Sequence, residues 1–137
     1  MIGWLGAVDR AALRRYLLGD LIVIVGFLIA GELHHGIDPM TSPLLVADTL
    51  AQFLLGWLVA APVLGAYARA TLDRPAVAAG LAVLSWVAAD LLGQLLRSSA
   101  AFHGDYSPVF ALVIGAGGAV LLTAWRLLAD VAATRRE

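Results

Sequence analysis

The sequence predicts an all-α membrane protein: four transmembrane helices in an up-down-up-down bundle, with a short amphipathic N-terminal helix in front of them. Two observations carry this. Four apolar stretches, Leu17–Leu33, Thr49–Ala68, Pro75–Leu96 and Pro108–Leu128, fill most of the 137 residues. Each is close to the ~20 residues needed to cross a ~30 Å hydrocarbon core at ~1.5 Å per residue. The basic residues supply the second observation: all nine are arginine, and eight fall on one side of the four-span pattern. Arg10, Arg14 and Arg15 precede the first span, Arg69 and Arg74 separate the second from the third, and Arg126, Arg135 and Arg136 end the fourth; Arg97 alone lies near the other face. Short loops rich in arginine stay in the cytoplasm, so both termini are expected inside.

Composition excludes several classes. The chain is 61% hydrophobic and 14% charged, with a mean hydropathy of +0.89, and the spans leave no room for a soluble domain. It reads as a single membrane domain over residues 1–137. Cysteine is absent, which removes disulfides, thiolate metal sites and cysteine nucleophiles. A net charge of −1 leaves no basic surface for nucleic acid once the arginines are assigned to the inner face. Asp9, Arg10 and Arg14 interrupt the first apolar run, so no cleaved signal peptide is expected. Ile2–Tyr16 reads instead as an interfacial helix with Trp4, Leu5, Val8 and Leu13 toward lipid.

The first span carries Gly19, Asp20 and Gly26 and runs out through Glu32 into His34 and His35. Pro39 and Pro43 mark Ile37–Val46 as a turn-rich connection, with Asp48 or Thr49 as the cap of the second span. Pro62 is interior to that span and predicts a kink. Asp73-Arg74-Pro75 starts the third span, with Asp73 as cap, and Ser107-Pro108 starts the fourth in the same way. Small residues recur four apart, as in Gly56/Ala60, Ala61/Gly65, Ala89/Gly93 and Ala111/Gly115/Ala119. Such positions let helix backbones approach closely in lipid, within one chain or between copies.

Polar residues inside the spans are the candidate functional groups. Asp90, Gln94 and Arg97 lie at i, i+4 and i+7, on one helix face. Asp90 is ~22 Å from the inner end by helical rise, where a charge costs at least ~2.5 kcal/mol and demands a partner or a wet cavity. The simplest pairing is Asp90 with Arg97 across Gln94, with Gln52 and Glu32 at comparable depth. That cluster reads either as a charge-compensated packing knot or as a binding or translocation site for an ion, proton or small solute. Asp90→Ala harms both; Asp90→Asn would spare folding and remove activity only in the second. Asp20 and Arg126 sit at one level near the inner end and read as a structural ion pair between the first and last helices. His34, His35 and His103 all fall on the outer side. They are candidate metal ligands, but adjacent histidines on a helix point ~100° apart and no i, i+4 pair exists, so solvated histidines are the preferred reading. No nucleophile elbow, phosphate loop or zinc-protease pair is present. No enzymatic activity, cofactor or resident metal is therefore expected.

Together, Gly19-Asp20, the Gly31–Gly36 turn with its histidines, Phe53–Trp57, Gly65–Tyr67, Trp86 with Asp90 to Arg97, and Phe110 through Trp125-Arg126 resemble a prokaryotic family of small four-helix membrane proteins of unknown function, the domain-of-unknown-function 3054 type. The resemblance implies a fold and a place in the cytoplasmic membrane, and carries no activity. Three functions fit. The favoured one is a homo-oligomeric transporter or channel for an ion or small solute, since four spans enclose too little space alone. The others are an accessory subunit of a larger membrane assembly, and a lipid-, quinone- or pigment-binding module with Trp57 and Trp86 lining its pocket. The expected topology has a direct check: a single Cys placed at position 103 should react with an impermeant label from outside, and labelling from the cytoplasmic side alone would overturn the orientation.

Overall fold

The structure, a computed structural model, describes residues 7–104 and 107–136. Among these the chain is helical: α1 (Arg10–His34), α2 (Pro43–Val63), a short 3-10 turn at Arg69–Leu72, α3 (Pro75–Arg97) and α4 (Pro108–Arg135). All four long helices are apolar and long enough to cross a membrane. They form an antiparallel bundle in which α2 packs most heavily on α3, α3 on α4 and α4 on α1, while the contact between α1 and α2 is the lightest. The bundle has an arginine end, holding both described chain ends and the Arg69–Leu72 turn. Its opposite, histidine end holds the connections through His34 and His103.

Local chemistry explains where the helices start. Asp9 caps α1, its carboxylate accepting from the N–H groups of Ala11 (2.9 Å) and Ala12 (3.1 Å). The other three long helices open on a proline in the first turn, where a missing N–H costs nothing. Ser107 caps α4 by accepting from the Phe110 N–H. α2 departs from expectation at both ends. It begins at Pro43, with Ser42 in the cap position, because Pro43 starts a helix here as Pro75 and Pro108 do. Asp48 and Thr49 are thus one turn inside it. Its end falls at Val63, so Pro62 lies in the last turn and has no following helix to kink. Gly65, at φ +86°, then reverses the chain, with the Ala66 N–H bonded to the Ala61 carbonyl. For α3 the cap position is Arg74 rather than Asp73, and no side chain caps it.

The expected separate amphipathic N-terminal helix is corrected by α1. Residues 1–6, including Trp4 and Leu5, lie outside the described residues. From Arg10 the helix runs unbroken to His34, since nothing between Leu13 and Leu17 interrupts it. It is apolar as a whole, burying a line of Ala12, Tyr16, Asp20, Ile24 and Leu28. Arg14 and Arg15 are carried at its end, as long cationic side chains are near a membrane surface.

The core is aromatic, and the outward face is aliphatic. Phe53, Trp57 and Trp86 are fully buried, with ring centroids 6.3–6.4 Å apart from Phe53 to Trp86 and from Trp57 to Trp86. Leu18, Leu95 and Leu112 stand about 70% exposed, the surface that lipid covers. Trp86 donates to the Ile114 carbonyl at 3.0 Å and so ties α3 to α4. Glycine makes two of these approaches possible. A Cβ on Gly118 would collide with the Trp86 indole, and one on Gly56 would lie 2.5 Å from the Ala89 carbonyl oxygen. Gly56→Ala should therefore cost about 1–3 kcal/mol, as overpacking does. Gly80→Ala, with nothing within 4 Å, should be neutral or stabilise by up to ~1 kcal/mol through helix propensity. Thermal unfolding of the two variants in detergent checks this contrast.

Candidate functional site

Two polar assemblies occupy opposite ends of the bundle. At the arginine end, Asp20 and Arg126 are both completely buried and meet side by side, Nε to Oδ1 at 3.1 Å and Nη2 to Oδ2 at 2.6 Å. Most of the remaining capacity of both groups is used. Arg126 Nη1 donates to the carbonyls of Ala66 (2.9 Å) and Ala78 (3.3 Å). Asp20 accepts from Tyr67 Oη at 2.7 Å and Trp125 Nε1 at 3.0 Å, and Trp57 Nε1 donates to Tyr67 Oη at 3.1 Å. The guanidinium also lies 4.2 Å from the Tyr16 ring centroid. This network joins α1, α2, the 64–68 turn, α3 and α4. One turn further out, Arg15 and Tyr16 both hydrogen-bond Asp130, at 3.2 and 2.5 Å.

At the histidine end, Asp48 accepts from the His103 backbone N–H (2.9 Å), from His103 Nδ1 and from Gln52 Nε2 (3.2 Å). His103 is thereby held with Nε2 toward Thr49 Oγ1, 3.5 Å away. Gln52 also donates to the His103 carbonyl at 3.1 Å, and its Oε1 accepts from Arg97 Nη1 at 3.4 Å. The Arg97 guanidinium lies 4.5 Å from the Phe110 ring centroid, and its Nε is buried with no acceptor among the described residues. Gly104, at φ +96°, brings backbone to the guanidinium so closely that a Cβ there would lie 2.6 Å from Cζ. Beside this assembly is a cavity of about 560 Å³, between the end of α1 and the start of α4. Its apolar walls include Phe27, Leu28, Val113 and Ile114; its polar groups are Glu32, His34, His35, Thr49, Arg97, His103 and Ser107.

The expected residues are thus redistributed. Arg97 and Gln52 meet, and Glu32 faces the same cavity. Asp90 does not pair with Arg97: its described hydrogen bond is from Gln94 Nε2, at 3.3 Å. Its carboxylate sits against Gly115 of α4, where a Cβ would be 2.9 Å from Oδ2. The reason is lateral: Phe110, Gly104 and Gln52 draw the guanidinium sideways, away from its own helix face. His34 and His35 are exposed, with rings edge to face at 5.4 Å. Among the described residues no three His, Asp or Glu side chains gather closely enough for a metal ion. Asp105 is outside the described residues. Trp57 and Trp86 are sealed in the core, and neither lines this cavity. Sequence reasoning missed the Asp48–His103 pair, Tyr67 and Trp125. The acid at Asp48 was visible, but a cap role hid it.

Fold and site together define a small multi-pass membrane protein with one end locked by a buried ion pair and a polar-lined cavity at the other. The chain belongs to the family described as Protein of unknown function (DUF3054), which it matches over residues 17–129. No curated protein and no solved structure shows a significant match.

Removing one partner of a dry ion pair leaves the other charge uncompensated. Asp20→Ala should destabilise the bundle by about 3–5 kcal/mol. Adding Arg126→Met should recover part of that loss, read as a double-mutant cycle in thermal unfolding. Additive losses would show that the two side chains are not coupled.

Proposed function

We propose that this protein is a membrane-embedded binding module for an amphipathic small molecule. Its head would sit in the histidine-end cavity and its apolar body in the seam between α1 and α4. The observation that carries this reading is the cavity itself. At about 560 Å³, with apolar walls and polar groups converging at one end, it falls within the ~300–1,000 Å³ and the mixed lining usual for small-molecule sites. The Asp48–His103 contact supports it further, because a carboxylate on one imidazole nitrogen fixes the direction of the other. With the arginine end in the cytoplasm, as the charge asymmetry favours, the cavity belongs to the outer half of the membrane.

A second reading, passage of an ion or small solute between copies of the chain, is favoured by one observation. Asp90 and Gln94 are buried within α3, and Gln94 Oε1 has no donor among the described residues. Within one copy the Asp20–Arg126 network fills the opposite end, so such a route would run between copies. Liposome flux separates the two readings, since flux abolished by Asp90→Asn in a folded protein would favour passage.

The binding reading is checked by native mass spectrometry of protein released from mild detergent. The wild type should retain a bound amphiphile. Val113 lines the cavity yet is 59% exposed, so Val113→Trp should fill the seam and reduce occupancy about tenfold, with an unchanged unfolding midpoint. Undiminished occupancy would refute the site.

A further inference from the structure

The cavity is polarised across its width. On one side, α4 begins: Ser107 and Phe110 line the wall, at the positive end of the dipole of a 28-residue helix. Arg97 reinforces that side. Its guanidinium is fixed against the Phe110 ring, and its Nε is buried with no acceptor. Held between that ring and Gln52 Oε1, which accepts from Nη1, the guanidinium is a fixed cation on the cavity wall, and a fixed cation favours an oxyanion beside it. Thr49 also lines the cavity.

On the other side, α1 ends. The carbonyls of Gly31, Glu32 and Leu33 are turned into the C-terminal cap, accepting from His35, Gly36 and Ile37, and they form the negative pole of a 25-residue helix. Glu32 adds a full carboxylate. It is half-buried, lines the cavity, and no ion pair within 4.0 Å involves it among the described residues. A purely anionic head would place its charge beside Glu32. A purely cationic one would meet Arg97. A head carrying both charges satisfies both walls at once.

We propose that the ligand head is zwitterionic, with an oxyanion seated on Arg97 and the start of α4 and an ammonium seated on Glu32 at the end of α1. The class that fits is a phosphate–amine amphiphile, whose hydrocarbon part follows Phe27, Val113 and Ile114 along the seam. This rests on the binding reading above and adds the chemistry of the head.

The test uses the full chain in detergent micelles and three probes, followed by native mass spectrometry. One is a short-chain diacyl phosphoethanolamine lipid, the second its phosphate-only counterpart, and the third the free head, O-phosphoethanolamine. The wild type should bind the amine-bearing lipid about tenfold more tightly than the phosphate-only lipid. Glu32→Gln should erase that preference while leaving the phosphate-only lipid bound as well or better. Arg97→Gln should weaken both lipids. Competition by the free head as effective as that by the lipid would also support a zwitterionic head, and would make its source water-soluble. A preference unchanged by Glu32→Gln, or none in the wild type, overturns the inference. Should neither lipid bind, or Val113→Trp displace neither, the binding reading itself fails, and that outcome is separate.

Discussion

A guanidinium and a carboxylate inside a lipid-facing bundle are each costly to desolvate, and that cost falls only if every donor and acceptor finds a partner. Asp20 and Arg126 come close to this condition through groups drawn from α1, α3, α4 and the 64–68 turn. Two contacts join the charges directly, two carbonyls accept from the arginine, and a tyrosine and a tryptophan donate to the aspartate. Because the partners come from different elements, a shift of α1, α3 or α4 by one residue would strand a charge in a dry interior. The network therefore sets the register of these three helices, and reaches α2 through Trp57 and Tyr67. Aliphatic packing alone cannot do this in lipid, where leucine gains little by facing another helix rather than an acyl chain.

That constraint explains the asymmetry of the molecule. The arginine end has to close, because Arg126 draws in the Ala66 carbonyl exposed by the Gly65 reversal and the Ala78 carbonyl at the start of α3. Asp9 ties the beginning of α1 to the same turn, its N–H donating to the Tyr67 carbonyl at 2.8 Å. Among the described residues nothing comparable joins α1 to α4 at the histidine end. There the polar contacts run among α2, α3 and the α3–α4 connection, and α1 is left as one wall of a cavity.

How far the sequence could be read follows from the same distinction. Span number and the Asp20–Arg126 contact were legible because each depends on a one-dimensional quantity, the apolar length or the depth of a charge. The start of α2 was not, since Pro39 and Pro43 look alike in a loop, and only the N-cap geometry at Ser42 separates a helix-opening proline from a breaking one. Asp90 and Arg97 were misread for a different reason. Residues seven apart share a face, but the direction of a long side chain is decided by what the neighbouring helices offer. Phe110 on α4, Gln52 on α2 and the Gly104 backbone offer Arg97 more than its own helix does. Grouping Glu32, Arg97 and the histidines at one end was possible from the alternation of spans; the cavity between them was not.

The cavity is then a consequence of packing at least as much as of the residues lining it. Helices α1 and α4 are held together where Trp125 and Arg126 reach Asp20. Higher up the bundle, Gly117 receives the Phe27 ring, which approaches to 2.5 Å of where a Cβ would stand. Beyond that contact the two helices carry Leu28, Val113 and Ile114 on the cavity walls. A seam pinned at one end and wedged by an aromatic ring partway along leaves space at the other without loss of the buried network. The histidine-end cavity can thus be reshaped by substitution along the seam while the buried ion pair stays intact, so the cavity and the scaffold are separable in this fold.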